Sequence, residues 1–135
     1  KPGDIVFILY EADFNVGHWA SLCRSDDSIF YFDSYGNAPE VPLKWNTQEK
    51  NEELLQEPGV LKKLFYSSPL PVYYNDYDYQ SKEEGISTCG RWCTAWFAHF
   101  KKMGGDLRSF KKMIDDERKK TKKTNDELVT EVIKI

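Results

Sequence analysis

Between Cys89 and Met103 apolar side chains recur every three or four positions, at Cys89, Trp92, Cys93, Trp96 and Phe100, until Gly104-Gly105 breaks the pattern. That spacing predicts an amphipathic helix with one apolar stripe, and Lys101 and Lys102 near its end suit the negative pole of its dipole. Ser87 and Thr88 precede the stripe as good capping residues, so a cysteine is expected at the helix start. The rest of the chain must supply a surface for the stripe.

β-type segments supply it. Residues 5–10 form a short apolar run that reads as a strand inside a sheet. After the turn-like Asn15, Val16 and Gly17, residues 18–23 resume an extended pattern; a polar turn at residues 24–27 then leads to a return strand over residues 28–33. Residues 71–74 read as a further strand, running into a polar loop over residues 75–88 that is long enough to be functional. Helical segments are expected over residues 47–55, stopped by Pro58-Gly59, and briefly over residues 60–64. Leu107, Phe110, Lys111 and Ile114 mark another. A capping box from Thr124 to Glu127 opens the last, with Leu128, Val129, Val132 and Ile133 on its apolar side.

The predicted fold class is therefore α+β: a small mixed or antiparallel sheet packed against a central helix that starts at Cys89, with additional C-terminal helices. At 135 residues and 40% hydrophobic the chain fits one domain, residues 1–135, around one core. Its longest apolar run is far short of the roughly 20 residues of a membrane span, and no signal-peptide pattern opens it, so no membrane partner is expected. Three cysteines in apolar settings cannot all pair internally, which suits free thiols in an intracellular, reducing location such as cytoplasm, nucleus or virion. The first residue is not methionine, which suggests a fragment or a processed product.

The net charge of −3 is unevenly spread: residues 1–80 carry six Lys/Arg against thirteen Asp/Glu, residues 81–135 thirteen against nine. The acidic front half favours basic protein partners. The basic run formed by Arg118, Lys119, Lys120, Lys122 and Lys123 is either a solvated face or a weak site for an anionic partner.

A thiol becomes a useful nucleophile at neutral pH when its thiolate is stabilised, and a helix N-terminus does this through unpaired N–H groups. Taken alone, Cys89 reads as well as a buried structural thiol. The search for a base sharpens the choice, because there are two histidines. His99 is ten residues further along the same helix, about 15 Å away along its axis, and cannot reach. His18, at the head of a strand, can, although taken alone it also reads as a satisfied, half-buried histidine. Asp33 ends the strand that pairs with it and suits the carboxylate that orients an imidazole, although an Asp before Ser34 and Gly36 also suits a turn. Gly90 lets backbone approach a substrate carbonyl, so the Cys89 N–H serves as one oxyanion donor. Gln80 offers a neutral amide as the second, or is an ordinary loop residue.

Gly17-His18-Trp19, Phe32-Asp33-Ser34-Tyr35-Gly36, Tyr79-Gln80-Ser81 and Thr88-Cys89-Gly90-Arg91-Trp92-Cys93, in that order, resemble the adenain-type cysteine peptidases, the group of the adenovirus maturation proteinase and the SUMO-deconjugating proteases. The resemblance spans residues 5 to about 103. It implies Cys89 as nucleophile, His18 as general base and acid, Asp33 as orienting carboxylate, and Gln80 with the Cys89 amide as oxyanion hole. It also implies that Trp19 walls a narrow groove for small residues, commonly glycine, before the scissile bond. The substrate would be a viral polyprotein or a ubiquitin-like modifier, cut at a peptide or isopeptide bond without metal or cofactor. Nine positions separate Gln80 from Cys89, more than the family usually shows, so the intervening loop must bulge. Papain-type peptidases fit less well, since their cysteine precedes their histidine.

Other chemistries were weighed. A zinc site from His18, Cys23, Cys89 and Cys93 has loose spacing, and alternation puts His18 and Cys23 on opposite strand faces. An acetyltransferase would use the same His-Asp-Cys arrangement through a thioester, and an inactive binding module would use exposed aromatics such as Tyr73, Tyr74, Tyr77 and Tyr79. Cys93 and Trp96 read most simply as core.

Overall fold

Strands with alternating apolar residues bury both faces of a sheet only if helices cover both. The computed structural model, which describes residues 1–81 and 87–132, meets that demand with a four-stranded mixed sheet and five α-helices. Strand β1 (Ile5–Asp13) turns through Phe14 and Asn15 into β2 (Val16–Arg24), and β2 turns through residues 25–28 into β3 (Ile29–Asp33). Asn15 sits at φ 57, a left-handed conformation that asparagine tolerates in a tight turn. Both pairings are antiparallel, whereas β4 (Val72–Tyr74) runs parallel to β3. The order is β1-β2-β3-β4.

Between β3 and β4 lie a 3-10 turn (Val41–Trp45), α1 (Gln48–Glu53) and α2 (Val60–Ser67); α3 (Cys89–Met103), α4 (Leu107–Thr121) and α5 (Asn125–Val132) follow. Each has a local cause. Thr47 caps α1 by accepting from the Lys50 amide, Gly104 ends α3 in a left-handed conformation, and the expected box at α5 forms, with Thr124 and Glu127 each accepting from the other's amide. α4 extends beyond its apolar stripe to take in the first part of the basic run, whose positive charges suit the helix C-terminus.

One sheet face carries Cys23 and Phe32 and packs on α3, α4 and α5 through Trp92, Trp96, Phe110, Leu128 and Val129. Trp96 stacks on Phe32 at 5.9 Å and meets Phe110 edge-on at 5.7 Å. The other face carries Tyr10, Ala20 and Tyr31 under Leu43, Leu61 and Phe65. The expectation that residues 5–10 lie inside the sheet is corrected: among the described residues β1 has only β2 as a neighbour, and Val6 and Phe7 are exposed. Its apolar run serves both layers from an edge position, Ile5 packing on the first cluster and Ile8 with Tyr10 on the second. Residues 82–86 of the expected loop, and Ile133 of the expected last stripe, lie outside the described residues. No described helix is long and apolar enough to cross a membrane.

Candidate active site

Strand register brings the first two groups together. Ala20 faces Asp33 at the last pair between β2 and β3, and His18 is two residues further along β2 on the same face. This diagonal relation lets the side chains meet: His18 Nε2 lies 2.8 Å from Asp33 Oδ1. Asp33 is fully buried, and its Oδ1 also accepts from the Tyr35 amide. Asn75, just past β4, holds the backbone of Asp33 from the other side, accepting from its N–H at 3.0 Å and donating to its carbonyl at 2.6 Å.

Cys89 reaches the pair through a gap in the sheet. Because β3 ends opposite Ala20, the Trp19 N–H extends past it, and Cys89 Sγ at the start of α3 accepts that N–H at 3.4 Å. One helical turn later Cys93 Sγ donates to the Trp19 carbonyl at 3.6 Å, so one peptide segment of β2 registers the helix. Gly17 makes the local approach feasible. A Cβ there would lie 1.9 Å from the Tyr10 carbonyl oxygen, so β2 presses on β1 immediately before His18, where the register shifts between Glu11 and Asp13.

The electrostatics follow from these contacts. Burial of the His18 ring disfavours its charge, but hydrogen bonds to Asp33 and Cys89 and their negative charges outweigh that and push it up to about 9. Burial of the Cys89 thiol works to raise it, yet hydrogen bonds from His18 and the Trp19 amide, the His18 charge and the Gly90 amide hold it below its ordinary 9.0. With Nε2 engaged by Asp33, Nδ1 is the ring nitrogen left for the thiol. The other cysteines differ: burial pushes Cys23 up to about 12 and Cys93 far above the ordinary thiol range.

Gln80 is 3% exposed and doubly tied to Ser34, its amide N–H donating to the Ser34 carbonyl and its Oε1 accepting from the Ser34 hydroxyl at 2.6 Å. Fixing the oxygen end orients the NH2 end, and Gln80 lines one cleft of about 380 Å³ with His18 and Cys89. A larger cavity of about 920 Å³ beside α1 and α2 is lined by neither histidine nor cysteine, so size does not mark the chemistry here.

One expectation changes. Thr88 occupies the cap position of α3 but makes no capping hydrogen bond; its hydroxyl donates to Asp126 Oδ1 at 2.7 Å instead. Trp19, 38% exposed, stands on the α3 side of the sheet, where a Cβ on Gly90 would lie 3.6 Å from its ring, an ordinary contact, and Tyr35 and Trp45 also line the cleft. Those two rings cover the imidazole, Tyr35 stacked at 4.8 Å and Trp45 tilted at 5.7 Å. Neither Trp45 nor Asn75 carries a sequence signal for a site, because only closure of the chain brings Trp45 to His18 and Asn75 to the Asp33 backbone. His99 instead pairs with Ser109 Oγ at 2.8 Å, in the helical layer.

No family model matches this chain, and no solved structure matches it. It is 39% identical over 132 residues, covering 96% of this chain and 73% of the other, to uncharacterized protein V9 of Sputnik virophage.

Proposed function

We propose that this chain, which belongs to the family of the Sputnik virophage protein V9, is a cysteine peptidase that hydrolyses peptide or isopeptide bonds. The observation that carries the reading is the meeting of Cys89 and His18 in one cleft, with the buried Asp33 carboxylate 2.8 Å from the imidazole behind it, which holds the thiol below its ordinary range and pushes the imidazole up to about 9.

In this reading Cys89 is a thiolate and His18 an imidazolium before substrate arrives. The sulfur attacks the scissile carbonyl carbon, and the carbonyl electron pair moves onto oxygen, where the Cys89 N–H and Gln80 Nε2 donate to it. As the C–N bond breaks, the leaving nitrogen takes the proton from His18 Nδ1. Neutral His18 then removes a proton from water, whose hydroxide attacks the thioester; the C–S bond breaks and the imidazolium and thiolate are restored. Asp33 keeps the ring oriented and stabilises its charge throughout. Trp19 beside Gly90, with Tyr35 and Trp45 over His18, narrows the approach to the thiol, which favours glycine before the scissile bond. A viral polyprotein is the favoured substrate class, given the virophage relative, and three unpaired buried cysteines suit a reducing virion or cell interior.

The test is to incubate a virion or host-cell protein extract with the purified chain and identify new N-termini by mass spectrometry. Termini that follow glycine, made by the wild type and not by Cys89→Ala, are expected. Identical products from both, or none from the wild type, would contradict the reading.

A further inference from the structure

Gln80 and Cys89 are the two proposed oxyanion donors, and the segment joining them begins and ends on one carboxylate. Asp126 Oδ2 accepts from the Ser81 amide at 3.0 Å, the residue after Gln80. Its Oδ1 accepts from the Thr88 hydroxyl at 2.7 Å, the residue before Cys89. Asp126 is the second residue of α5, and α5 is itself anchored, with Leu128 and Val129 buried in the core and the Thr130 hydroxyl donating back to the Asp126 carbonyl.

The second observation is the missing cap. Threonine at a helix N-cap ordinarily turns its oxygen toward the amides two or three residues on. Thr88 is 8% exposed at that position and makes no such bond. The hydroxyl is held by Asp126 instead, so the residue before Cys89 is fixed to α5 and not to its own helix.

We propose that Asp126 is a positioning residue for the oxyanion site: by holding Ser81 with one oxygen and Thr88 with the other, it sets the spacing between Gln80 and Cys89. This rests on the peptidase reading above, in which those donors act. It touches neither substrate nor thiol, so its effect is confined to steps that place charge on a carbonyl oxygen.

That restriction gives the test, which needs no knowledge of the natural substrate. Iodoacetamide alkylates Cys89 by displacement of iodide at a saturated carbon, with no oxyanion. p-Nitrophenyl acetate acylates the same sulfur by attack on a carbonyl: the C–S bond forms, the oxyanion develops, and the C–O bond breaks to release p-nitrophenolate. Both rates are measured on the full chain, with Cys89→Ser as blank and the thermal midpoint followed for every variant. Asp126→Ala is expected to lower acylation about tenfold relative to alkylation, since displacements on the order of 1 Å at a catalytic group cost up to about 10²-fold. Asp126→Asn, which accepts from Ser81 and donates to Thr88, is expected to restore the ratio to within about twofold. A ratio unchanged in Asp126→Ala, or equally depressed in both variants, would overturn the proposal. If Asp126→Ala does not fold, Thr88→Val replaces it, with a fall in the ratio of about threefold expected and an unchanged ratio overturning the assignment. Wild-type Cys89 that reacts with iodoacetamide at pH 6 no faster than glutathione would instead remove the peptidase reading itself.

Discussion

His18 has two neighbours that stabilise its positive charge, and the Asp33 contact is the one the register of β2 and β3 dictates. Replacing Asp33 by Asn keeps the shape but removes the charge that holds the imidazolium. Cleavage by Asp33→Asn is expected to fall by about 10²-fold or more in kcat, with KM little changed, as measured on any substrate identified by N-terminal mapping. The pH dependence has a definite sign. His18 is raised from 6.5 to about 9, so the stability it gains from protonation is complete below about pH 6.5 and is lost as pH rises through about 9. The thermal midpoint is therefore expected to fall over that window, and less so in Asp33→Asn. Turnover should also decline near pH 9, where the proton for the leaving amine is lost.

At the scale of elements, the helix carrying Cys89 was legible because its stripe and its stop are local. So were the turn between β2 and β3 and the box joining Thr124 to Glu127. What sequence could not carry was where each element would be placed. Residues 5–10 are apolar enough for the middle of a sheet, yet their position at its edge follows from the order of strands. The Thr88 hydroxyl has a local cap available, but its partner is Asp126, 38 residues away. Gly17 illustrates both sides: it read as part of a turn, whereas its use is the near-contact of β2 with the Tyr10 carbonyl. Gly17→Ala is expected to destabilise the fold by about 1–3 kcal/mol in denaturant titration, because a Cβ there forces β1 and β2 apart. It should also slow Cys89 alkylation by shifting His18. An alanine as stable and reactive as wild type would mean that the hairpin relaxes without moving the histidine.

Across the whole molecule the same sheet treats its three cysteines differently. Cys23 and Cys93 are covered by the α3, α4 and α5 layer, and burial outweighs the groups that would lower them and pushes both thiols up. Cys89 sits where that layer meets the open end of β2, beside the imidazole. The native chain at pH 7 is therefore expected to take up one iodoacetamide, at Cys89, and three after denaturation, read by intact mass and peptide mapping. His18, Asp33 and Cys89 stood out as candidates in the sequence because each is a rare or chemically apt residue beside a predicted element boundary, whereas Gln80, inside a predicted loop, stood out through the order of motifs. The aromatic cover from Tyr35 and Trp45 did not, since the 3-10 turn carrying Trp45 reaches the cleft only after the second layer closes over the sheet. Whether His18 holds Cys89 as a thiolate is decided by the pH profile of Cys89 alkylation in wild type and His18→Ala. The wild-type rate is expected to reach its plateau well below the ordinary thiol value of 9.0, and the rise of the His18→Ala profile to move up to that value or beyond. Two superimposed profiles, both rising near pH 9, would contradict that role of His18.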